Sequence, residues 1–314
     1  MTAQMHDEAM SYARSVLAAG TEASLREGAI LLDRAAAQGC AEAWARLAGF
    51  LAAGVREPAD WDRSLAMLEQ AAVLGYAPAR DELRLLAGHD APSPDALRAR
   101  VDIRAFIQPR PGGVAHPSPR IRVFKGLFSG DECDWIIGRA HDRLERASVY
   151  DNESAQSLIV KERTNREAHF GPADLDVALT FLRARLAHSI RAPLHHFEPP
   201  TVLHYAVGQH FAPHFDFLDP ALPGHVGDLA RRGQRVATVL VYLNDDYEGG
   251  ETDFPTLGRR FRGGPGDALV FDNLDPSGAP DRRTFHAGLP PSKGEKWLLS
   301  QWVRDRAPGS ADPA

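Results

Sequence analysis

The feature that most constrains this chain is that it partly repeats itself. Leu31-Leu32-Asp33-Arg34-Ala35-Ala36-Ala37-Gln38-Gly39 overlies Met67-Leu68-Glu69-Gln70-Ala71-Ala72-Val73-Leu74-Gly75, and Ala43 to Ala79 keeps the same offset of 36 residues. A weaker copy sets Leu17-Ala18-Ala19-Gly20 over Leu51-Ala52-Ala53-Gly54. A period of this length marks stacked helical hairpins, because one hairpin cannot bury its apolar face alone. Alanines on one face let neighbouring helices approach closely, and Gly39 and Gly75 stand where a helix end takes left-handed backbone. Residues 1–90 are therefore predicted to form a helical repeat domain. An alanine-rich bundle with no binding role is the plainer reading of the same pattern.

At 314 residues the chain has room for a second domain. Prolines and glycines punctuate the stretch from Gly88 to Pro119, so residues 91–118 are predicted as a Pro/Gly-rich linker. Beyond it, helices are expected over 131–144 and 174–189 and a loop over 218–232. Strands rich in β-branched and aromatic residues are expected at 201–205, 236–243, 268–271 and 297–303. No glycine-rich phosphate loop follows a strand and no helices alternate with the strands, which disfavours a parallel nucleotide-binding sheet. The expected architecture is α+β in two domains. After the repeat comes an antiparallel double-sheet barrel or jelly roll with flanking helices over 119–306, then a tail at 307–314.

Charge and cysteine usage exclude several classes. With 36 Lys and Arg against 42 Asp and Glu, the net charge of −6 offers no basic field, and nucleic acid is not an expected partner. Cys40 and Cys133 form neither a disulfide framework nor a zinc ribbon, which fits a reducing cytoplasm, the expected location. No charged-then-apolar leader opens the sequence. The longest clean apolar run, around Val236 to Leu243, is too short to cross a bilayer, so no membrane association is expected.

The chemistry centres on His214-Phe215-Asp216. On an extended strand, residues two apart project from one face, so this triplet offers two adjacent metal ligands. The 13 histidines of this chain yield about one such triplet by chance, so the triplet alone reads first as a solvated turn. His286, at the end of a predicted strand, supplies a third ligand, and Lys296 follows at the start of another. Two histidines and one carboxylate form the facial triad of non-haem Fe(II) sites, which leaves positions open for a bidentate 2-oxo acid and dioxygen.

Ordered short motifs surround these residues. They include Arg163-Thr164-Asn165, the run from His204 to Asp216, Gly233-Gln234-Arg235-Val236-Ala237-Thr238, Gly249-Gly250-Glu251-Thr252, Gly266-Asp267-Ala268-Leu269-Val270-Phe271, His286-Ala287-Gly288 and Gly294-Glu295-Lys296-Trp297. Over residues 119–306 the sequence resembles the prolyl 4-hydroxylase-like Fe(II)/2-oxoglutarate dioxygenases, and over about 5–88 it resembles the Sel1-like branch of tetratricopeptide-type repeats. The first resemblance implies a double-stranded β-helix and hydroxylation of an unactivated C–H bond, first of all on proline in a protein or peptide. Succinate and CO2 are its coproducts, and ascorbate is the possible reductant.

Residue by residue, the resemblance implies that His214, Asp216 and His286 hold iron and that Lys296 pairs with the distal carboxylate of 2-oxoglutarate. It further implies that Thr252 and Tyr205 hydrogen-bond the cosubstrate and that Arg163 and Arg235 face the substrate. Fe(II), one aspartate, one lysine and the dianion sum to zero charge, as burial demands. Phe211 stands where relatives often carry a hydroxylated aromatic. Trp302, His195, His196, His204, His210 and His225 are read as packing or surface residues. Two other functions fit the same motifs: hydroxylation of a small molecule or another residue type, and an inert barrel carried by an adaptor whose repeats recruit a protein partner.

Overall fold

The computed structural model describes residues 3–19, 21–55, 57–150, 157, 158, 160–171 and 174–307. The chain divides into two compact units, one of Met1–Gln108 with Phe170–Leu186 and one of Pro109–His169 with Ala187–Ala314.

The first unit begins with α1 (Ala3–Leu17), α2 (Glu22–Ala37), α3 (Ala41–Ala53), α4 (Trp61–Val73) and α5 (Ala77–Ala87). Helices α3 and α5 start at the two positions that the repeat offset relates. Gly39 and Gly75 follow the ends of α2 and α4 with φ of 86° and 91°, a conformation that costs glycine little and other residues much. Met10, Leu17, Leu32, Leu47 and Phe50 interlock with alanines of the first three helices in one buried cluster. The Trp44 and Trp61 indoles donate to the carbonyls of Ala36 and Ala52, which ties each hairpin to the preceding helix end.

Residues 91–118, read from their composition as a linker, carry secondary structure: α6 (Pro94–Arg98), α7 (Ile103–Phe106) and β1 (Gly112–Pro117). Proline at the first helical position of α6 is an entry signal rather than a break.

The helix expected over 174–189 forms as α9 (Val177–Ile190), after α8 (Gly130–His141). Up to Leu186 it packs in the first unit. Buried Glu82 of α5 accepts from the amides of Val177 and Ala178 at 3.0 and 3.1 Å, a carboxylate at the positive end of a helix. Trp61 packs against Phe181 with ring centroids 5.2 Å apart. Gly49 is required because a Cβ there would lie 2.2 Å from the Leu175 carbonyl oxygen.

The strands of the second unit continue with β2 (Arg120–Phe124), β3 (Glu145–Arg146), β4 (Val149–Tyr150), β5 (Ser157–Leu158), β6 (Arg166–His169), β7 (Thr201–Tyr205) and β8 (Phe211–His214). Then come β9 (Arg235–Tyr242), β10 (Glu248–Gly249), β11 (Thr252–Phe254), β12 (Arg259–Phe261) and β13 (Ala268–Asp272). The last are β14 (His286–Gly288), β15 (Pro291–Lys293) and β16 (Lys296–Arg304). All pair antiparallel. The larger sheet has the order β1-β2-β13-β9-β16-β7-β6-β3 and the smaller the order β12-β11-β14-β8. Phe254 of the smaller sheet packs with Leu203, Leu240, Phe271 and Leu298 of the larger in one buried cluster.

The segment 218–232, expected as a loop, ends in α10 (Pro223–Arg232). Gly224 and Gly227 hide the helix from a propensity reading. Pro223 starts it, and ties from elsewhere hold it: Arg304 pairs with Asp228 at 2.9 Å and Arg306 donates to the Leu229 carbonyl.

Glu82→Ala is expected to cost about 1–3 kcal/mol, since it leaves two helix-end amides of α9 without their acceptor. Chemical denaturation followed by circular dichroism measures it, and a midpoint shift within error of zero would show that water replaces the carboxylate.

Candidate active site

The smaller sheet sets two of the three ligands by its ladder. His214 ends β8, His286 begins β14, and the two are direct Cα partners, with ring centroids 4.3 Å apart. Each ring is anchored by Nδ1, which donates to the carbonyl two residues back: Ala212 at 2.9 Å and Thr284 at 3.0 Å. The proton is thereby fixed on Nδ1, and both Nε2 lone pairs are left bare. They lie 3.6 and 3.5 Å from the carboxylate oxygens of Asp216. Phe211 stacks on His214 at 3.6 Å between centroids, and Phe254 and Phe271 wall the His286 ring.

Burial alone would raise the Asp216 carboxyl. His286, His214 and the Thr238 hydroxyl outweigh it and hold the group well below the usual range. Burial, reinforced by the neighbouring His214, pushes His286 down to about 4. The result is one anion and a neutral imidazole, the protonation a metal needs. The three donor groups lie within 4.8 Å of one another. Two imidazoles and one carboxylate, each with an unprotonated donor atom turned inward, fit Fe(II).

A second group of polar side chains lines the same cavity of about 670 Å³. Lys296 begins β16 directly across from Tyr205 at the end of β7. It is 0% exposed, and its ammonium donates to the Gly250 carbonyl at 2.6 Å. No carboxylate among the described residues forms an ion pair with it. Burial pushes the amine down to about 7, against partial support from Glu251. A buried cation facing a cavity with one carbonyl for company is a receptor for an anion.

Thr252, at the start of β11, shares a 3.0 Å hydrogen bond with the Tyr242 hydroxyl, which also donates to the Phe261 carbonyl. Tyr242 has one proton for two acceptors, so a carboxylate that takes the Thr252 proton is matched by Tyr242 turning toward Thr252. The Tyr205 hydroxyl has no hydrogen-bond partner among the described residues, and burial pushes it up to about 12, so it remains a neutral donor. Gly288 makes room for it, since a Cβ there would lie 3.0 Å from the hydroxyl oxygen.

Arg163 and Arg235 line the cavity as well. Arg163 donates to Glu167 and the Ser148 carbonyl at 2.6 and 2.7 Å and lies over the Phe211 ring. Arg235 pairs with Glu198 at 2.7 Å, and its guanidinium lies 3.4 Å from the centre of the Trp302 ring. Trp302, read from sequence as a packing residue, therefore lines the cavity, and so does His225. Their aromatic character alone carried no signal of this. His204 packs on Trp297 and bonds Glu295, as a packing residue does.

The fold and the ligand set define a class. The sequence profile of the 2OG-Fe(II) oxygenase superfamily matches residues 200–304, which hold the triad, Thr252 and Lys296. The chain is 32% identical over 204 residues to probable prolyl 4-hydroxylase 7 of Arabidopsis thaliana, covering 59% of this chain and 63% of that protein. It is 30% identical over 205 residues to probable prolyl 4-hydroxylase 10 of the same plant, covering 59% of this chain and 69% of the relative. Among solved structures it is similar to the viral collagen prolyl hydroxylase of Paramecium Bursaria Chlorella virus-1 in its 2-oxoglutarate complex. That likeness has 28% identity and a TM-score of 0.45 over 58% of this chain and 94% of that one.

The chain belongs to the 2OG-Fe(II) oxygenase superfamily, dioxygenases that take Fe(II), 2-oxoglutarate and O2. Within it, the relatives it resembles are prolyl 4-hydroxylases.

Asp216→Ala is expected to abolish Fe(II)-dependent formation of succinate, because it removes the only anionic member of the triad. Unchanged succinate at matched Fe(II) would assign the metal to other residues.

Proposed function

We propose that this protein hydroxylates proline in a protein or peptide, with the catalytic domain built as a double-stranded β-helix and the N-terminal helices as Sel1-like repeats that recruit the substrate. The observation that carries the reading is the convergence of the His-Asp-His triad and an unpaired buried lysine on one cavity, in a chain similar to prolyl 4-hydroxylases. The cofactors, when bound, convert 2-oxoglutarate and O2 to succinate and CO2 and insert one oxygen atom into the C–H bond.

The chain's own residues bind and orient. His214, Asp216 and His286 hold the iron. Lys296 and Thr252 take the distal carboxylate of 2-oxoglutarate, and the Tyr205 hydroxyl donates to the cosubstrate. Phe254 and Phe271 keep water from the His286 side of the site. Arg163, held by Glu167 over the Phe211 ring, and Arg235, held by Glu198 over the Trp302 indole, face the peptide. Cys40 and Cys133 are both free and buried, in keeping with a reducing cytoplasm as the place of work; ascorbate is the proposed reductant.

Incubation of the full chain with proline-containing peptides, Fe(II), ascorbate and 2-oxoglutarate tests the proposal by mass spectrometry. A gain of 16 Da on proline, with stoichiometric succinate, is expected. Succinate without any modified peptide, together with a hydroxylated metabolite, would move the substrate to a small molecule.

Lys296→Ala is expected to raise the KM for 2-oxoglutarate roughly 10- to 150-fold, the worth of a charge-assisted hydrogen bond to a buried carboxylate. The pH dependence has a definite sign. A carboxylate needs Lys296 protonated, yet burial among the site's own residues holds the amine near 7. Binding therefore takes up a proton above about pH 7, and affinity for 2-oxoglutarate falls by up to tenfold per unit as pH rises beyond it. Titration calorimetry in buffers of different ionisation enthalpy measures the uptake, and a flat affinity between pH 7 and 9 would place the charge elsewhere.

If the repeats recruit substrate, a long protein target has a lower KM than a short peptide holding the same proline. Replacing the exposed Tyr12, Ile30 and Val73 by serine should erase that difference and leave the short peptide's kinetics unchanged.

A further inference from the structure

We infer that Thr238 and Asn273 are positioning residues for the metal: a two-link hydrogen-bond chain from Asn273 through Thr238 to Asp216 sets the plane of the triad's carboxylate, and with it the affinity of the site. The inference rests on the reading that the triad holds iron.

The two histidines need no such help. They sit within β8 and β14, where the ladder of the smaller sheet fixes their backbone and a carbonyl fixes each ring. Asp216 lies beyond the end of β8, so no ladder bond aims it. The larger sheet does so instead. Thr238 in β9 donates its hydroxyl proton to Asp216 Oδ2 at 2.7 Å, and the Asn273 side-chain amide donates to Thr238 Oγ1 at 3.0 Å.

The direction of the chain follows from the donors. The amide hydrogen of Asn273 occupies a lone pair of Thr238 Oγ1, so the single hydroxyl proton is turned toward the carboxylate. The bond to a charged acceptor is a strong one, and each link polarises the next. Asn273 is itself rigid. It follows β13, its backbone N–H donates to the Val236 carbonyl at 2.8 Å, and its own carbonyl accepts from Asp281 at 2.9 Å.

A second observation separates aiming from mere packing. Thr238 and Asn273 are both 0% exposed, yet Asn273 Oδ1 is buried with no hydrogen-bond partner among the described residues. Native proteins retain few such groups, because each costs stability. Here the satisfied half of the amide is the half that orients Thr238. A residue kept for stability alone would be better replaced by leucine of similar shape.

The test is titration of the metal-free full chain with Co(II) alone, which reads affinity from the titration curve and ligand geometry from the visible bands, without turnover. Thr238→Val keeps the shape and removes the proton. It is expected to weaken Co(II) binding about 10- to 100-fold, the usual cost of losing a group that orients a ligand, and to shift the bands. Thr238→Ser restores both. Asn273→Ala leaves the hydroxyl but frees its rotation, and is expected to weaken binding by at least about threefold.

A Thr238→Val protein with a lowered melting temperature but wild-type affinity and bands would show a structural role only and overturn the inference. If that variant fails to fold, Asn273→Ala decides: wild-type affinity there overturns it equally. A wild-type chain that binds no Co(II) would overturn the triad reading along with this one, whereas binding that is lost in Asp216→Ala and unmoved in both relay variants would overturn this inference alone.

Discussion

The site depends on one register. His214 and His286 become neighbours because β8 and β14 pair antiparallel with those two residues opposite one another. Side chains alternate across a strand, so a slip of one residue would turn one imidazole to the far face and leave a lone histidine beside Asp216. The short strands of the smaller sheet give this register few hydrogen bonds of their own. It is secured from outside: Phe254 of β11 packs into the larger sheet's cluster, and the turn before β14 is tied by the Thr284 hydroxyl, which donates to the Asp281 carbonyl.

The side chains of the site do not balance one another's charge. Lys296 and Asp216 are both buried; among the described residues no carboxylate forms an ion pair with Lys296, and Asp216 has the two imidazoles and the Thr238 hydroxyl for neighbours. Burial of unpaired charge opposes folding, and ligands that complete the pairs return that stability by mass action. Binding of an anion beside Lys296 and of a cation at the triad is thus expected to stabilise the fold. A neutral side chain of similar volume at Lys296 would relieve that cost to the fold and forgo the role proposed for the ammonium, a trade common at active sites.

What was legible in the sequence was whatever short spacing could carry. His214 and Asp216 two apart offer a ligand pair within a few residues, whereas the parts expected of Thr252 and Lys296 came from the resemblance of the short motifs around them to a family. The repeat offset announced helices in pairs over this stretch and the glycines that follow α2 and α4. Contacts that join distant residues were not legible. Thr238 stood in a recognised motif, but its role required Asn273, 35 residues on. Trp302 reads as any core tryptophan until Arg235 is seen lying over it. Helix α10 was missed because two glycines lower its local propensity, while its anchors, Arg304 and Arg306, lie far along the chain. The composition of 91–118 suggested a linker because proline marks helix entries as readily as it breaks helices.

The discontinuity of the first unit bears on how the chain is made. Glu82 of α5 waits for the amide of Val177, 95 residues further along. At about 5–20 residues per second of synthesis, the five N-terminal helices spend on the order of 5–20 s with the α9 seat open. They therefore emerge from the ribosome as an incomplete array, with Trp61 and the surface around Gly49 facing water. That array can be completed only after β1 to β6 have been synthesised. Birth order thus differs from structural order: the first helices to appear are not the first unit to be finished.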